Sequence, residues 1–259
     1  MSYLRIRDVS VQFPIYQGSS RSLKKSLLSA SAGGQIARDA RDRFTVNALK
    51  KISLEIEHGQ RVALVGANGS GKTTLLKVFA GVYEPTSGVI EVEGNVSALL
   101  DPNAGFNPDA TGRENIVMRG MFMGMRPREI ERHLVDIAEF TGLGDYLEMP
   151  SRTYSAGMTI RLAFATSTCV RPDILLMDEW LAAGDAQFMA AARKRMAEFV
   201  QDSSILVLAS HSMPLLKEWC DIGVLLERGE VKMIDDVDRV IEAYEQKVAD
   251  QARVLQDDR

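Results

Sequence analysis

The sequence predicts an α/β fold with two additions, an antiparallel β subdomain and a helical subdomain. Three observations predict it. The apolar runs at residues 174–177, 205–209 and 224–226 are continuous, the pattern of parallel strands buried on both faces. Residues 4–9 and 52–57 alternate apolar with polar side chains, as strands with one buried face do. From Arg113 to about Thr168 the pattern is helical, and this block interrupts the strand-rich remainder. With 259 residues the chain suits one large domain or a core plus a subdomain.

Taken in order, the alternating runs at 4–9 and 52–57 build the antiparallel layer. Between them, residues 14–47 read as an insertion, mobile in part. It holds a basic amphipathic segment at 23–28, a Gly33-Gly34 break and a charged run from Arg38 to Arg43. Its charges fit either a solvated loop and helix or a surface facing a membrane partner or acidic lipid head groups. An apolar strand at 61–65 then leads through Gly66-Ala67-Asn68-Gly69-Ser70-Gly71-Lys72-Thr73 into a good helix former at 74–80. Strands at 89–93 and 96–100 are split by Gly94-Asn95, a favourable turn pair. The helical block, about 113–168, breaks at Arg126-Pro127, Gly142-Leu143-Gly144 and Met149-Pro150-Ser151. Residues 236–259 form a C-terminal helical tail, amphipathic from Val237 to about Gln256, and no internal repeat is present.

Composition bounds the partners. A net charge of −4 and a pI near 5.5 give no electrostatic footprint for nucleic acid, so none is expected. Cys169 and Cys220 form neither a metal motif nor a disulfide framework, which fits a reducing compartment. There is no signal-peptide start and no apolar run of the about 18 residues that span a bilayer. Any action at a membrane is therefore expected through a partner.

Strand, glycine loop and helix at 61–80 describe a nucleoside triphosphate site. Glycines let the backbone turn so that consecutive amides face a polyphosphate, and the helix adds its free N–H groups and dipole. The candidate nucleotide residues are Gly66, Asn68, Gly69, Ser70, Gly71, Lys72, Thr73 and Thr74. Lys72 places a cation near the β and γ phosphates, and Thr73 offers a hydroxyl to Mg²⁺. The run at 174–177 ends in Asp178-Glu179. There Asp178 would hold Mg²⁺, directly or through water, and Glu179 would polarise the attacking water.

Tyr154-Ser155-Ala156-Gly157-Met158, shortly before that strand, resembles the signature sequence of ABC-type ATPases. Ser155 is a favourable N-cap for the helix that follows, whose dipole would face an anion. The resemblance covers about residues 1–235 and implies a P-loop NTPase of the ABC-type nucleotide-binding class, with ATP and Mg²⁺ bound. It implies that Ser155, Ala156 and Gly157 meet the γ-phosphate held by a second subunit in a head-to-tail homodimer. It likewise implies that Asp185 of Ala183-Gly184-Asp185 lies at the dimer interface and that His211 hydrogen-bonds the γ-phosphate. Phe13 fits the family's adenine-stacking aromatic by spacing, with Tyr16 in reserve. The family's glutamine after the second strand pair is absent, and Asp101 or Asn103 is left to offer an oxygen there. His58 and His133 receive no role.

Phe13-Pro14-Ile15-Tyr16, Arg21-Ser22-Leu23-Lys24, Thr111-Gly112-Arg113-Glu114-Asn115-Ile116 and Asp178-Glu179-Trp180-Leu181 look like the ATPase subunits of bacterial polysaccharide exporters. That group serves O-antigen, capsule and teichoic acid export. The resemblance thus implies a peripheral ATPase on the cytoplasmic face of the inner membrane. It would drive a separate permease that handles the glycan, with lipid-linked O-antigen the first expectation. A stretch from Gly105 to Met125, with Met118, Met121, Phe122, Met123 and Met125, would either receive a permease helix or pack as core. The other reading is a soluble ABC-type ATPase acting as a regulatory or nucleic-acid-associated switch.

Overall fold

The structure, a computed structural model, describes residues 1–14, 36–38, 44–101, 104–178 and 186–257. In chain order these form β1 (Tyr3–Pro14), β2 (Ile36–Arg38), β3 (Phe44–Glu57), β4 (Arg61–Val65), α1 (Lys72–Phe79), β5 (Ser87–Glu93) and β6 (Val96–Leu99). Then come α2 (Gly112–Phe122), α3 (Pro127–Thr141), two 3₁₀ turns (Gly144–Glu148, Ser151–Thr153), α4 (Ala156–Ser167), β7 (Ile174–Asp178) and α5 (Ala186–Asp202). The chain closes with β8 (Ile205–Ala209), α6 (Met213–Trp219), β9 (Ile222–Glu227), β10 (Glu230–Asp236) and α7 (Val237–Asp257). Two compact units emerge, one from residues 1–94 with 205–259, the other from residues 95–204.

The first unit holds an antiparallel sheet in the order β2-β3-β1-β5 and a second layer in the order β10-β9-β4-β8. In the second layer β8 and β9 flank β4 in parallel, and β10 pairs antiparallel with β9. β4 and β8 are buried almost throughout, as their unbroken apolar letters require. β1 and β3 are longer than the alternating letters suggest, because each changes phase once. The buried positions run Leu4, Ile6, then Val9, Val11 on β1, and Leu49, then Ile52, Leu54, Ile56 on β3. The phase changes fall at Asp8 and Lys51, both left-handed (φ 48° and 46°). The Asp8 N–H donates to Ser53 Oγ at 2.9 Å and the Lys51 N–H to Ser10 Oγ at 3.0 Å, so each bulge is closed by a serine of the facing strand. Residues 44–47, read from sequence as the end of the insertion, are the first four of β3; residues 15–35 and 39–43 lie outside the described residues.

Gly94-Asn95 does not turn a hairpin. β5 pairs with β1, whereas β6 pairs in parallel with β7 in the second unit, so the two strands part at this point. Asn95 instead closes the start of β7, its N–H donating to Asp173 Oδ2 at 2.8 Å and its carbonyl accepting from the Asp173 and Ile174 N–H groups.

The second unit is built on α2, α3 and α4, which bury Ile116, Met125, Ile130, Ile137, Leu143, Leu147, Leu162 and Ala165 against one another. Pro127 opens α3, and Gly142, at φ 62°, closes it. Met125 therefore belongs to the core, while Met121 and Phe122 are 54% and 68% exposed. α7 buries Val237, Val240 and Ile241 at its start and is exposed beyond Tyr244 wherever its side chains are described. Among the described residues, no helix is long and apolar enough to cross a membrane.

Candidate functional site

The glycine loop folds as its letters dictate. A Cβ on Gly66 would lie 2.3 Å from the Leu226 carbonyl oxygen and 2.8 Å from Ser70 Oγ, so only glycine fits where β4 ends. α1 starts from Gly71 (φ 112°), the Leu75 N–H closing its first turn on the Gly71 carbonyl at 2.9 Å. The residue before the helix, Gly71, has no side chain with which to cap it, and helix N-termini of this kind suit anions. The Lys72 side chain is largely buried and curls over the loop, Nζ donating to the Gly66 carbonyl at 2.6 Å and the Ala67 carbonyl at 3.2 Å. Ser70 is 5% exposed, and its hydroxyl finds no hydrogen-bond partner among the described residues. Asn68, Gly69 and Thr73 are exposed, and Thr74 is half-buried.

The neighbouring strands deliver further candidates to the same end of the sheet. Leu64 pairs in parallel with Ala209, so the residues after β8, Ser210 and the exposed His211, leave the sheet beside the loop that follows β4. Ligands of parallel sheets bind at such carboxyl ends. Phe13, half-buried near the end of β1, meets Tyr83 edge-on with ring centroids 5.1 Å apart. Lys77 Nζ of α1 lies 5.3 Å from the Tyr83 ring centre. Tyr83 is thus a second aromatic beside the expected one.

In the other unit, Leu99 pairs with Met177, so Asp178 and the chain after β6 also emerge at one end of their strand pair. The chain after β6 is held by a residue that pattern reading passes over. The guanidinium of Arg119, 3% exposed, donates from Nε and Nη2 to Ser167 Oγ at 2.9 and 2.8 Å. Its Nη1 donates to the Ala104 carbonyl, and Nη2 reaches the Asp101 carbonyl at 3.5 Å. Burial pushes the guanidinium down to about 10, opposed by the charge of Asp101.

The signature segment is locked from below. Ser155 (φ −69°, ψ 159°) caps α4, its Oγ accepting from the Met158 N–H at 3.2 Å, and Ser155 and Ala156 are exposed. Tyr154 donates its hydroxyl to the Tyr146 carbonyl, and burial raises this phenol above its ordinary range. On α2, Thr111 and Glu114 form a reciprocal capping box, and hydrogen bonds from Thr111 hold the Glu114 carboxyl below the usual range. Asn115, fully buried, accepts from the Asn107 N–H at 2.7 Å and directs its amide to the carbonyls of Asn107, Ala110 and Thr111 and to Ser151 Oγ. The two motifs at 111–116 and 154–158 therefore share one packed junction. A Cβ on Gly112 would stand 2.2 Å from the Tyr154 hydroxyl oxygen and 3.1 Å from Leu147 Cα. Gly112→Ala should lower stability by about 1–3 kcal/mol, as overpacking does. Adding Tyr154→Phe should recover part of that loss in thermal melts, since the closest atom struck is the hydroxyl; strictly additive losses would contradict the junction.

Set against known proteins, residues 49–182 match the family model described as ABC transporter. The chain is 42% identical over 229 residues to an O-antigen export system ATP-binding protein of Yersinia enterocolitica, covering 88% of this chain and 96% of that one. The chain belongs to the ABC transporter family. Another relative, an O-antigen export system ATP-binding protein of Myxococcus xanthus, is 38% identical over 251 residues; the match covers 96% of this chain but 57% of that longer protein. In fold, a dimeric ATP-binding cassette solved in a post-hydrolysis state with ADP and phosphate superposes with a TM-score of 0.66 at 18% identity, covering 90% of this chain and 98% of that one. The cassette is an ATP-hydrolysing α/β module with an antiparallel β part and a helical part.

Its residues fit a nucleoside triphosphate: the buried Ser70 hydroxyl, the glycine turn that starts α1 and the cationic Lys72 line one loop. Among the described residues no three His, Cys, Asp or Glu side chains converge on a metal. Tyr16, Asn103, Glu179 and Asp185 lie outside the described residues. Tyr83 and Arg119 escaped the sequence reading, and Asn115 entered it only as a letter of the motif at 111–116. For the last two a signal existed: the buried stripe of α2 is Gly112, Asn115, Ile116, Arg119 and Gly120, at helical spacing but polar in letters.

Proposed function

We propose that the cassette powers polysaccharide export, hydrolysing ATP in a head-to-tail homodimer on the cytoplasmic face of the inner membrane. A separate permease would carry the glycan, with lipid-linked O-antigen the expected cargo. The observation that carries this reading is the 42% identity to the Yersinia O-antigen export protein along 96% of its length. It is joined by the motif pair at 111–116 and 154–158, which the fold packs into one junction.

In this mechanism Lys72 and the amides of residues 66–73 hold the β and γ phosphates, and Phe13, with Tyr83 at its edge, offers a face to the base. Thr73 and Asp178 would hold Mg²⁺, which would supply positive charge to the phosphates. Glu179 polarises the attacking water and His211 hydrogen-bonds the γ-phosphate. Ser155, Ala156 and Gly157 of a second copy complete the site, with Asp185 at the seam. Closure on ATP and opening after hydrolysis would move the permease, which docks on the exposed Met121 and Phe122. Purifying the tagged cassette in detergent from its own cells should recover an integral membrane permease. Recovery of nucleic acid or soluble regulators alone would favour a soluble ABC-type switch instead.

A further inference from the structure

The two serines that close the bulges of β1 and β3 have bonding capacity to spare. Ser10 Oγ accepts from the Lys51 N–H and Ser53 Oγ from the Asp8 N–H, and neither hydroxyl donates its hydrogen to a group among the described residues. Both stand on the outer face of the antiparallel sheet, because Ser10 alternates with the buried Val9 and Val11, and Ser53 with the buried Ile52 and Leu54. Here the surface sinks into a groove of about 670 Å³ lined by β1, β3 and the start of β10, a size that suits a small organic molecule. Its charged lining is Lys50, Lys51 and Glu230. Lys50 Nζ lies 3.8 Å from Glu230 Oε1, but the other oxygen of that carboxylate is held by Lys232, so one anion is shared between two cations. Lys51 enters no ion pair among the described residues. The groove is therefore rich in donors and positive, which suits an anion with several oxygens. Gln12 and Asn47 add amides that can both donate and accept, and Asn47 Oδ1 is buried without a partner among the described residues. Such amides match the hydroxyls of a polyol.

The floor of the groove backs onto the phosphate loop. The Lys50 N–H donates to the Gly229 carbonyl at 2.7 Å, and the Gly229 N–H donates to the Ser70 carbonyl at 2.9 Å. A Cβ on Gly71 would lie 2.9 Å from the Ala48 carbonyl oxygen and 2.9 Å from Leu49 Cδ2, so β3 and the loop touch through backbone. None of residues 66–74 lines the groove itself.

We propose that this groove is a second ligand site, for a phosphate monoester carried on a small polyhydroxyl molecule, a sugar phosphate, and that its occupancy is felt at the phosphate loop. The phosphate group takes Lys50, Lys51 and the two serine hydroxyls, and the sugar hydroxyls take Gln12 and Asn47. The link to the loop rests on the nucleotide-site reading above; the groove itself does not. An anion that draws Lys50 and Lys51 to one point ties the bulge of β3 down beside Gly229. The backbone bonds from Lys50 to Gly229 and from Gly229 to Ser70 then hold the loop in the shape that binds phosphate. Sugar phosphate and ATP should therefore favour each other's binding, by the same factor in either direction.

Calorimetric titration of the nucleotide-free full chain with glucose 6-phosphate, glucose and inorganic phosphate separates the parts. Glucose 6-phosphate should bind at least about 10-fold more tightly than either component alone. Lys51→Gln should weaken it by about 10-fold, the low end for a hydrogen bond to a charged group, and Gln12→Trp, which fills the groove, should abolish it. Both side chains are exposed, and thermal melts check that the two variants fold. Lys72→Ala should leave the binding unchanged. Saturating glucose 6-phosphate should lower the Kd of a fluorescent ATP analogue by about 5-fold in the parent and leave it unaltered in Gln12→Trp. Absence of saturable binding up to about 10 mM would overturn the site. Inorganic phosphate or glucose binding as tightly as the sugar phosphate would overturn the ligand class. Binding that Lys72→Ala removes and Lys51→Gln leaves would put the ligand in the phosphate loop and overturn the groove. Unchanged analogue affinity beside intact sugar-phosphate binding would overturn the link to the loop. A parent that binds no ATP analogue would instead count against the nucleotide-site reading, and the calorimetry would still judge the groove.

Discussion

Lys72→Ala should weaken ATP binding by about 1.5–3 kcal/mol, roughly 10–150-fold in Kd, the range for a hydrogen bond to a charged group. The structure sharpens this expectation. The ammonium is largely buried and bonded to the Gly66 and Ala67 carbonyls, so it stays at the mouth of the loop and need not be recruited from solvent. Removing it also frees those two carbonyls, which loosens the glycine turn that presents the amides. Titration with a fluorescent ATP analogue measures the change. An affinity equal to that of the parent would contradict the placement of phosphate in this loop.

Glu179→Gln should separate binding from turnover. The amide keeps the shape of the carboxylate but cannot polarise water, so hydrolysis should fall by about 10²–10⁴-fold, the usual worth of a general base, with ATP affinity retained. ATP that is bound and not hydrolysed should then hold two copies together. Size-exclusion chromatography with Mg-ATP reads the dimer directly, and a variant that stays monomeric with parental turnover would remove Glu179 from the mechanism. The two variants thus differ in kind: one loses the ligand, the other keeps it and loses the reaction.

What was legible in the sequence was local. β4, β7 and β8 carry continuous runs of four or five apolar residues, the length and letters of a buried strand. The phosphate loop is readable because its requirements, a tight turn, free amides and a cation, are met by consecutive residues. Ser155 reads as a cap because capping is decided within three residues, here Ser155 to Met158. What escaped depends on contacts distant in sequence. The alternation in β1 and β3 stops at Asp8 and Lys51 because each bulge is closed by a serine of the other strand, so neither sequence shows the strand continuing. Gly94-Asn95 has the letters of a hairpin turn, but β5 and β6 find partners in different sheets. Arg119 looks like a surface residue of an amphipathic helix until Ser167, 48 positions away, and the Asp101 and Ala104 carbonyls are brought to it. β10 was missed for a different reason, since it alternates half-buried and exposed positions around charged letters at the edge of its sheet.

The central claim, a nucleotide site completed by a second copy of the chain, is most directly tested by crosslinking. Ser70 in the phosphate loop is too buried to carry a probe, but Asn68 is exposed on the loop and Ala156 is exposed at the signature turn. The native thiols will not interfere, because burial pushes Cys169 up to about 11 and Cys220 up to about 12, leaving little thiolate at neutral pH. In a chain carrying Asn68→Cys and Ala156→Cys with the Glu179→Gln background, a short bifunctional thiol reagent should join two chains when Mg-ATP is bound and not in its absence. Crosslinks within one chain, or between chains regardless of nucleotide, would contradict the head-to-tail composite site.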